Sequence, residues 1–275
     1  MLKVRTIERN TNKKRILTML KTSKKKLLRL SISGFLAISL ASFITSCSKN
    51  TETTVEKPDF QAISSVSDRK QAFIDYMLPF IHQVQQDVLN QRQALKSMLA
   101  MLNKNKKLSK AQQDQLSRFC EQYKVNFDEN ALTQMVKDLL IKVNTIPTSM
   151  VLAQAALETG WGTSRFAVDG NNYFGQHCFT KGCGLVPKQR TAGAINEVQV
   201  FPSPKDSVQS YFNLLNTGTN FQEFRTLRSQ LTKEDKPITG KDLIKTLVHY
   251  SELEDGEYEK RIISTMDYNN LYQYN

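Results

Sequence analysis

Ala155-Ala156-Leu157-Glu158-Thr159-Gly160-Trp161-Gly162-Thr163-Ser164 decides the fold, because it ends an apolar helix on a glutamate, a glycine stop and the chain's one tryptophan. Upstream, Pro147 suits a first helical turn. Met150, Val151, Ala155 and Leu157 then supply apolar positions, in a run too short to show a clean period. Gly160 stops the helix, since glycine adopts the left-handed cap cheaply. Glu158 therefore falls in the last turn, near the negative end of the helix dipole. That position and the nearby Trp161 disfavour the charged form and raise the carboxyl pKa. A carboxylic acid still protonated near neutral pH is what glycoside hydrolysis needs to protonate the leaving oxygen. The same residues also read as an exposed glutamate ahead of a glycine cap, and the helix alone does not choose.

A second short helical stretch, Ser164 to Val168, leads to Asn171-Asn172-Tyr173-Phe174-Gly175. The whole run PTSMVLAQAALETGWGTSRFAVDGNNYFGQHCF, residues 147–179, resembles the glucosaminidase domain of glycoside hydrolase family 73, most closely its Bax-like branch. The similarity covers about residues 130–275 and rests on two dense, ordered elements, the glutamate-GWG element and the NN-x-FG element. It implies a mainly α (α+β) chain, a lysozyme-like helical domain with a small β-hairpin lobe. It also implies a peptidoglycan hydrolase of the endo-β-N-acetylglucosaminidase type with Glu158 as general acid, using no cofactor and no metal. A lytic transglycosylase on the same fold and a non-catalytic peptidoglycan-binding lipoprotein are the alternatives.

Other site residues follow from the same likeness. Glu197, on the expected β lobe, is the candidate second carboxylate, and it reads equally as an exposed strand residue. Tyr250 and Tyr258 resemble a tyrosine-centred motif near the end of these domains, stretched here by Glu254-Asp255-Gly256. Either phenol could hydrogen-bond the sugar or position water. Asn172 is expected to bond an acetamido group, Phe174 to pack behind it, and Trp161 to desolvate Glu158.

The net charge of +12 invites a nucleic-acid reading, but residues 1–46 alone carry a net of +10, leaving +2 for the rest. The basic start precedes an apolar run, Leu30 to Ile44, too short for a comfortable membrane span. A basic start, a short apolar core and small residues before a cleavage point make a secretory signal. Ile44-Thr45-Ser46-Cys47 resembles a bacterial lipobox, in which the cysteine is lipidated and becomes the new amino terminus. Ser48 replaces the aspartate associated with inner-membrane retention, so the expected destination is the outer membrane, facing the periplasm. Met19 opens a normal signal start and is the suspected initiator.

Cys178 and Cys183 sit in CFTKGC, and in an oxidising compartment two such cysteines form a disulfide. A zinc reading would recruit His177, but no second Cys/His pair lies nearby in sequence. Cys120 reads as a buried thiol. The expected domains are a signal peptide over 1–46, a flexible polar tether over 47–71, an N-terminal helical extension over 72–128 packed on the catalytic domain, and that domain over 129–275.

Within the extension, Phe73, Met77, Ile81, Val84, Val88, Leu95 and Leu99 form an amphipathic helical stripe. Pro79 is expected to kink the helix or delay its start. Ser109-x-x-Gln112 is a capping-box signature. Further helices are expected at about 129–143, from Ser203-Pro204 onward, and at about 221–231, 241–250 and 257–272. The one strand signal, Glu197 to Phe201, is expected to pair near Leu185 to Thr191.

Overall fold

The computed structural model describes residues 55–275 apart from 189, 191–192, 249 and 251–255, so the expected signal and Cys47 lie outside the described residues. Its longest element, α1 (Val66–Leu102), starts at Ser65, whose hydroxyl accepts from the Asp68 amide. Phe73, Met77, Ile81, Val84, Val88 and Leu95 are all buried, as the stripe requires. Each contributes roughly 1.5–3 kcal/mol by leaving water. Pro79 neither delays nor ends the helix, which begins thirteen residues earlier and continues to Leu102. Tertiary burial on both sides of the proline outweighs the one missing amide donor.

The capping box at Ser109 is formed in full, with both reciprocal bonds, and opens α2 (Lys110–Gln122). A 3-10 turn (Glu129–Ala131) precedes α3 (Leu132–Lys142). Then come α4 (Thr148–Thr159) and α5 (Arg165–Gly170). Ser203 caps α6 (Pro204–Thr217), and α7 (Gln222–Lys233) follows. The expected helix over 241–250 is shorter: α8 (Gly240–Leu243) runs into a 3-10 turn (Ile244–Thr246). The last helix, α9 (Glu257–Tyr268), stops at Asn269, and a 3-10 turn (Leu271–Tyr274) completes the chain.

α4 is buried along nearly its whole length, with Thr148 to Ala156 and Thr159 all enclosed. A helix apolar on every side belongs at the centre. Around it pack α1, α9, α8 and the final 3-10 turn. α1 also packs on α3 and α6, so the boundary expected at residue 128 divides no core: one cluster spans Phe60 to Leu271. Cys120 is buried and free.

The β lobe is a three-stranded antiparallel sheet rather than a hairpin, with β3 (Glu197–Gln199) between β1 (His177–Cys178) and β2 (Gly184–Leu185). His177 faces Val198, and Gly184 faces Gln199. The cysteine loop thus supplies two strands, and Cys178 and Cys183 are bridged with their Cα atoms 6.2 Å apart.

The tether expected over 47–71 is corrected in its last part. Phe60 is only 2% exposed, and its ring meets Phe73 and Tyr76 edge-on at 5.7 Å each. Lys57 Nζ donates to the Ala167 and Val168 carbonyls at 2.6 and 2.8 Å. A polar composition hid the single aromatic anchor. No helix among the described residues is long and apolar enough to cross a membrane.

Candidate active site

Gly160 ends α4 at φ 55°, and the turn stays left-handed through Trp161 and Gly162. At Gly162 a β-carbon would stand 2.5 Å from the Phe60 ring, so glycine is required for packing as well as conformation. Thr159 closes the turn: its hydroxyl donates to the Ala155 carbonyl at 2.6 Å and accepts from the Gly162 amide at 2.9 Å. This fixes the end of α4 and the direction in which Glu158 leaves it.

Glu158 Oε1 accepts from the Tyr258 hydroxyl at 3.1 Å. Oε2 lies over Gly175, where a β-carbon would come within 3.3 Å of it. The side chain remains accessible to solvent, as a group that meets substrate must, yet protein crowds it closely enough to withhold much of water's stabilisation. Burial therefore pushes the Glu158 carboxyl up, and the Tyr258 hydrogen bond pulls it partly back. Burial foremost, then the Glu158 charge, keeps Tyr258 and Tyr211 protonated.

Behind Glu158 stands an aromatic wall. Tyr250 stacks on Tyr258 at 5.5 Å and meets Tyr211 edge-on at 6.2 Å, while Tyr211 stacks on Phe174 at 4.2 Å. The Tyr250 hydroxyl donates to the Phe174 carbonyl at 3.2 Å. The structure thus separates two tyrosines that the likeness placed together. Tyr258 touches the acid, and Tyr250 braces the wall.

Two further expectations change. Asn172 is 1% exposed and fully engaged. Its amide nitrogen donates to the Gln176 and Gln199 carbonyls at 2.8 and 2.9 Å, and its oxygen accepts from the Phe174 and Gln176 amides. It pins the loop over residues 171–176 to the sheet and has no group left for an acetamido. Phe174 is buried and stacks on Tyr211.

Trp161 meets Phe73 edge-on at 5.8 Å and carries the Lys70 ammonium over its face at 5.0 Å. Its ring is thus engaged with α1.

Glu197 is not a free carboxylate either. It is buried, and its two oxygens accept from the Gly182 and Gly184 amides at 3.0 and 2.9 Å. Those amides hold it below the usual carboxylate range. Its chemistry is that of a clamp on the disulfide loop. Among the described residues, Cys178, Cys183 and Glu197 are the one group close enough to share a metal ion, within 4.8 Å. Here the sulfurs are bonded to each other and the carboxylate is spent on amides, so the group offers no free ligands.

The sequence reading missed Gln154, Tyr211 and Gly175. Gln154 had a signal: a lone amide in the apolar run Met150 to Leu157, one helical turn before Glu158.

Mainly helical with a small antiparallel sheet, the chain belongs to the glucosaminidase family, which implies glycoside hydrolase activity. It matches the family model described as Glucosaminidase, mannosyl-glycoprotein endo-beta-N-acetylglucosaminidase, over residues 133–271. It is similar to Protein bax of Escherichia coli (strain K12), with 33% identity over 204 residues, 74% of this chain and 71% of that protein. No solved structure matches it.

Proposed function

We propose that this protein hydrolyses the N-acetylglucosaminyl bond in the glycan strands of peptidoglycan, with Glu158 as the general acid. One observation carries the reading: a carboxyl pushed up by burial, open to solvent, bonded to a tyrosine through one oxygen and facing a side-chain-free floor through the other. Such a group holds its proton to higher pH than an ordinary carboxyl and can pass it to the leaving glycosidic oxygen. Family membership supports the glycosidase class, and the acid's surroundings support this residue.

The test is digestion of purified sacculi followed by mass spectrometry. A hydrolase of this type leaves a reducing N-acetylglucosamine, whereas a lytic transglycosylase leaves an anhydro-muramyl end. Glu158→Gln keeps the shape and removes the transferable proton, so turnover is expected to fall roughly 10²–10⁴-fold. Near-normal product release by a correctly folded Gln variant would reject Glu158 as the acid.

We also propose that the mature protein is an outer-membrane lipoprotein facing the periplasm, anchored through Cys47. The basic, apolar and Ile44-Thr45-Ser46-Cys47 pattern supports this. Cys47→Ser is expected to take up no labelled fatty acid. Continued acyl-dependent fractionation with the outer membrane would overturn the assignment.

A further inference from the structure

Glu158 is the end of a longer construction. Tyr258, which donates to Glu158 Oε1, accepts in turn from Gln154 Nε2 at 2.9 Å. Gln154 Oε1 accepts from the Tyr211 hydroxyl. The line Tyr211, Gln154, Tyr258, Glu158 crosses from the core to the cleft, and both Gln154 and Tyr211 are wholly buried. Stacking of Tyr211 on Phe174 fixes where its hydroxyl lies.

The order of donors has a physical consequence. A phenol has one hydrogen to give, whereas an amide donates only through nitrogen and accepts only through oxygen. With Tyr211 giving its hydrogen to Gln154 Oε1, the amide must show nitrogen to Tyr258. Tyr258 then has no acceptor in Gln154, and its hydrogen goes to Glu158 Oε1. If the amide were reversed, its oxygen would compete for the Tyr258 hydrogen, and the Tyr211 hydrogen would lose its acceptor in a dry interior, which is costly. A proton on Glu158 Oε1 would make that oxygen the poorer acceptor for the Tyr258 hydrogen, so the donated bond favours the acid's proton on Oε2, the oxygen over Gly175.

We propose that Gln154, oriented by Tyr211, is a positioning residue that commits Tyr258 to donate to Glu158 Oε1 and so keeps the transferable proton on Oε2, facing the cleft. The claim rests on Glu158 being the acid, and it deepens that reading. It gives a function to the one polar side chain buried in the middle of α4, a place where an unneeded amide would only cost stability.

Two measurements test it. The first follows the Glu158 carboxyl by carbon NMR, assigned by its loss in Glu158→Gln, and needs no substrate. The second is the pH profile of sacculus digestion, with kcat and KM separated. Gln154→Met combined with Tyr211→Phe removes both partners together and leaves no orphaned hydroxyl behind.

In that double variant the Glu158 titration and the basic limb of the profile are expected to move up by roughly half a pH unit, as the carboxylate loses a polarised donor. Loss of alignment is expected to lower kcat roughly tenfold with KM little changed. Tyr211→Phe alone, which keeps the size of the side chain, is expected to move both in the same direction by less, and it serves if the double variant fails to fold.

The decisive comparison is the Tyr258→Phe background. If Gln154 acts through Tyr258, the double variant adds nothing there to the titration shift. A folded variant with an unchanged titration and profile, or effects that simply add to those of Tyr258→Phe, would overturn the proposal. Wild-type protein that releases no sugar would overturn the glycosidase reading, while the NMR titration would still decide the hydrogen-bond line.

Discussion

At the scale of single residues, Glu158 and Gly175 work as a pair. The raised Glu158 value sets two signs. For activity, the acid must be protonated, so kcat/KM is expected to fall as pH rises through the Glu158 value, on a limb displaced from ordinary carboxylates toward neutrality. For stability, the native state holds the extra proton between the ordinary glutamate value and the raised one, so stability declines as pH rises through that window. Above the raised value the charge is a burden that Glu158→Gln relieves, and there its Tm is expected at or above that of the wild type. A markedly lower Tm would show that the carboxylate stabilises the fold. Gly175 has φ 66° and a virtual β-carbon 3.3 Å from Oε2, so Gly175→Ala strains the backbone and crowds the acid together. We expect about 1–2 kcal/mol of lost stability and a larger fractional loss of kcat, measured by urea unfolding beside sacculus digestion.

At the scale of elements, the β lobe depends on Glu197 and the Cys178–Cys183 bridge together. Because the loop amides hold Glu197 low, its contribution is present above the ordinary glutamate value and is lost as pH falls through the depressed one. The loop is therefore expected to loosen in acid, visible as amide exchange at Gly182 and Gly184. Glu197→Gln should loosen it at neutral pH as well, yet keep turnover within a few-fold of wild type, unlike Glu158→Gln. Turnover as low as that of Glu158→Gln with an undisturbed loop would return Glu197 to the chemistry. The bridge closes a loop of sequence separation 5. Its entropic contribution is small, about 2 kcal/mol in the loop-closure model, so reduction is expected to affect glycan binding more than Tm.

One helix end upstream of the acid is held by two arginines through backbone carbonyls. Arg228, wholly buried, donates to the carbonyls of Ile141, Lys142, Asn144 and Thr145 at 3.0 to 3.3 Å. Arg92 donates to Leu140 and Val143 at 2.6 and 2.7 Å. They complement the negative end of α3 and set the loop that launches α4. Arg228→Met should strand several buried carbonyls and cost about 3 kcal/mol or more by chemical denaturation. A loss below 1 kcal/mol would mean that water replaces the guanidinium.

At the scale of the whole molecule, the segment ahead of α1 reaches over the glutamate-GWG turn. Phe60 fills the space that Gly162 leaves, and Lys57 holds the end of α5. α1, Trp161, Phe60 and Tyr76 share one aromatic cluster, so the glutamate-GWG turn and the amino-terminal part of the described chain are one packed unit. Phe60→Ala is expected to cost about 3–5 kcal/mol and to loosen the GWG turn. Unfolding that stays a single transition, with Tm and turnover falling together, fits this coupling. An unchanged Tm would show that the segment merely lies on the surface.

The sequence by itself determined the elements whose cause is local. The α1 stripe, the Ser109 capping box, the Gly160 stop and the pairing-competent cysteine loop each follow from residues within a few positions of one another, and so did the candidate acid. It also determined the family, because the two motifs are contiguous. Only the tertiary structure decided which side chains meet across long separations: Tyr258 on Glu158, Gln154 between two tyrosines, Glu197 on loop amides, Phe60 under Gly162. A carboxylate, a phenol or an amide has the same letter whether it is free or spent on hydrogen bonds. Burial and partner geometry separate these states, and both are set by packing among elements that the chain order does not bring together.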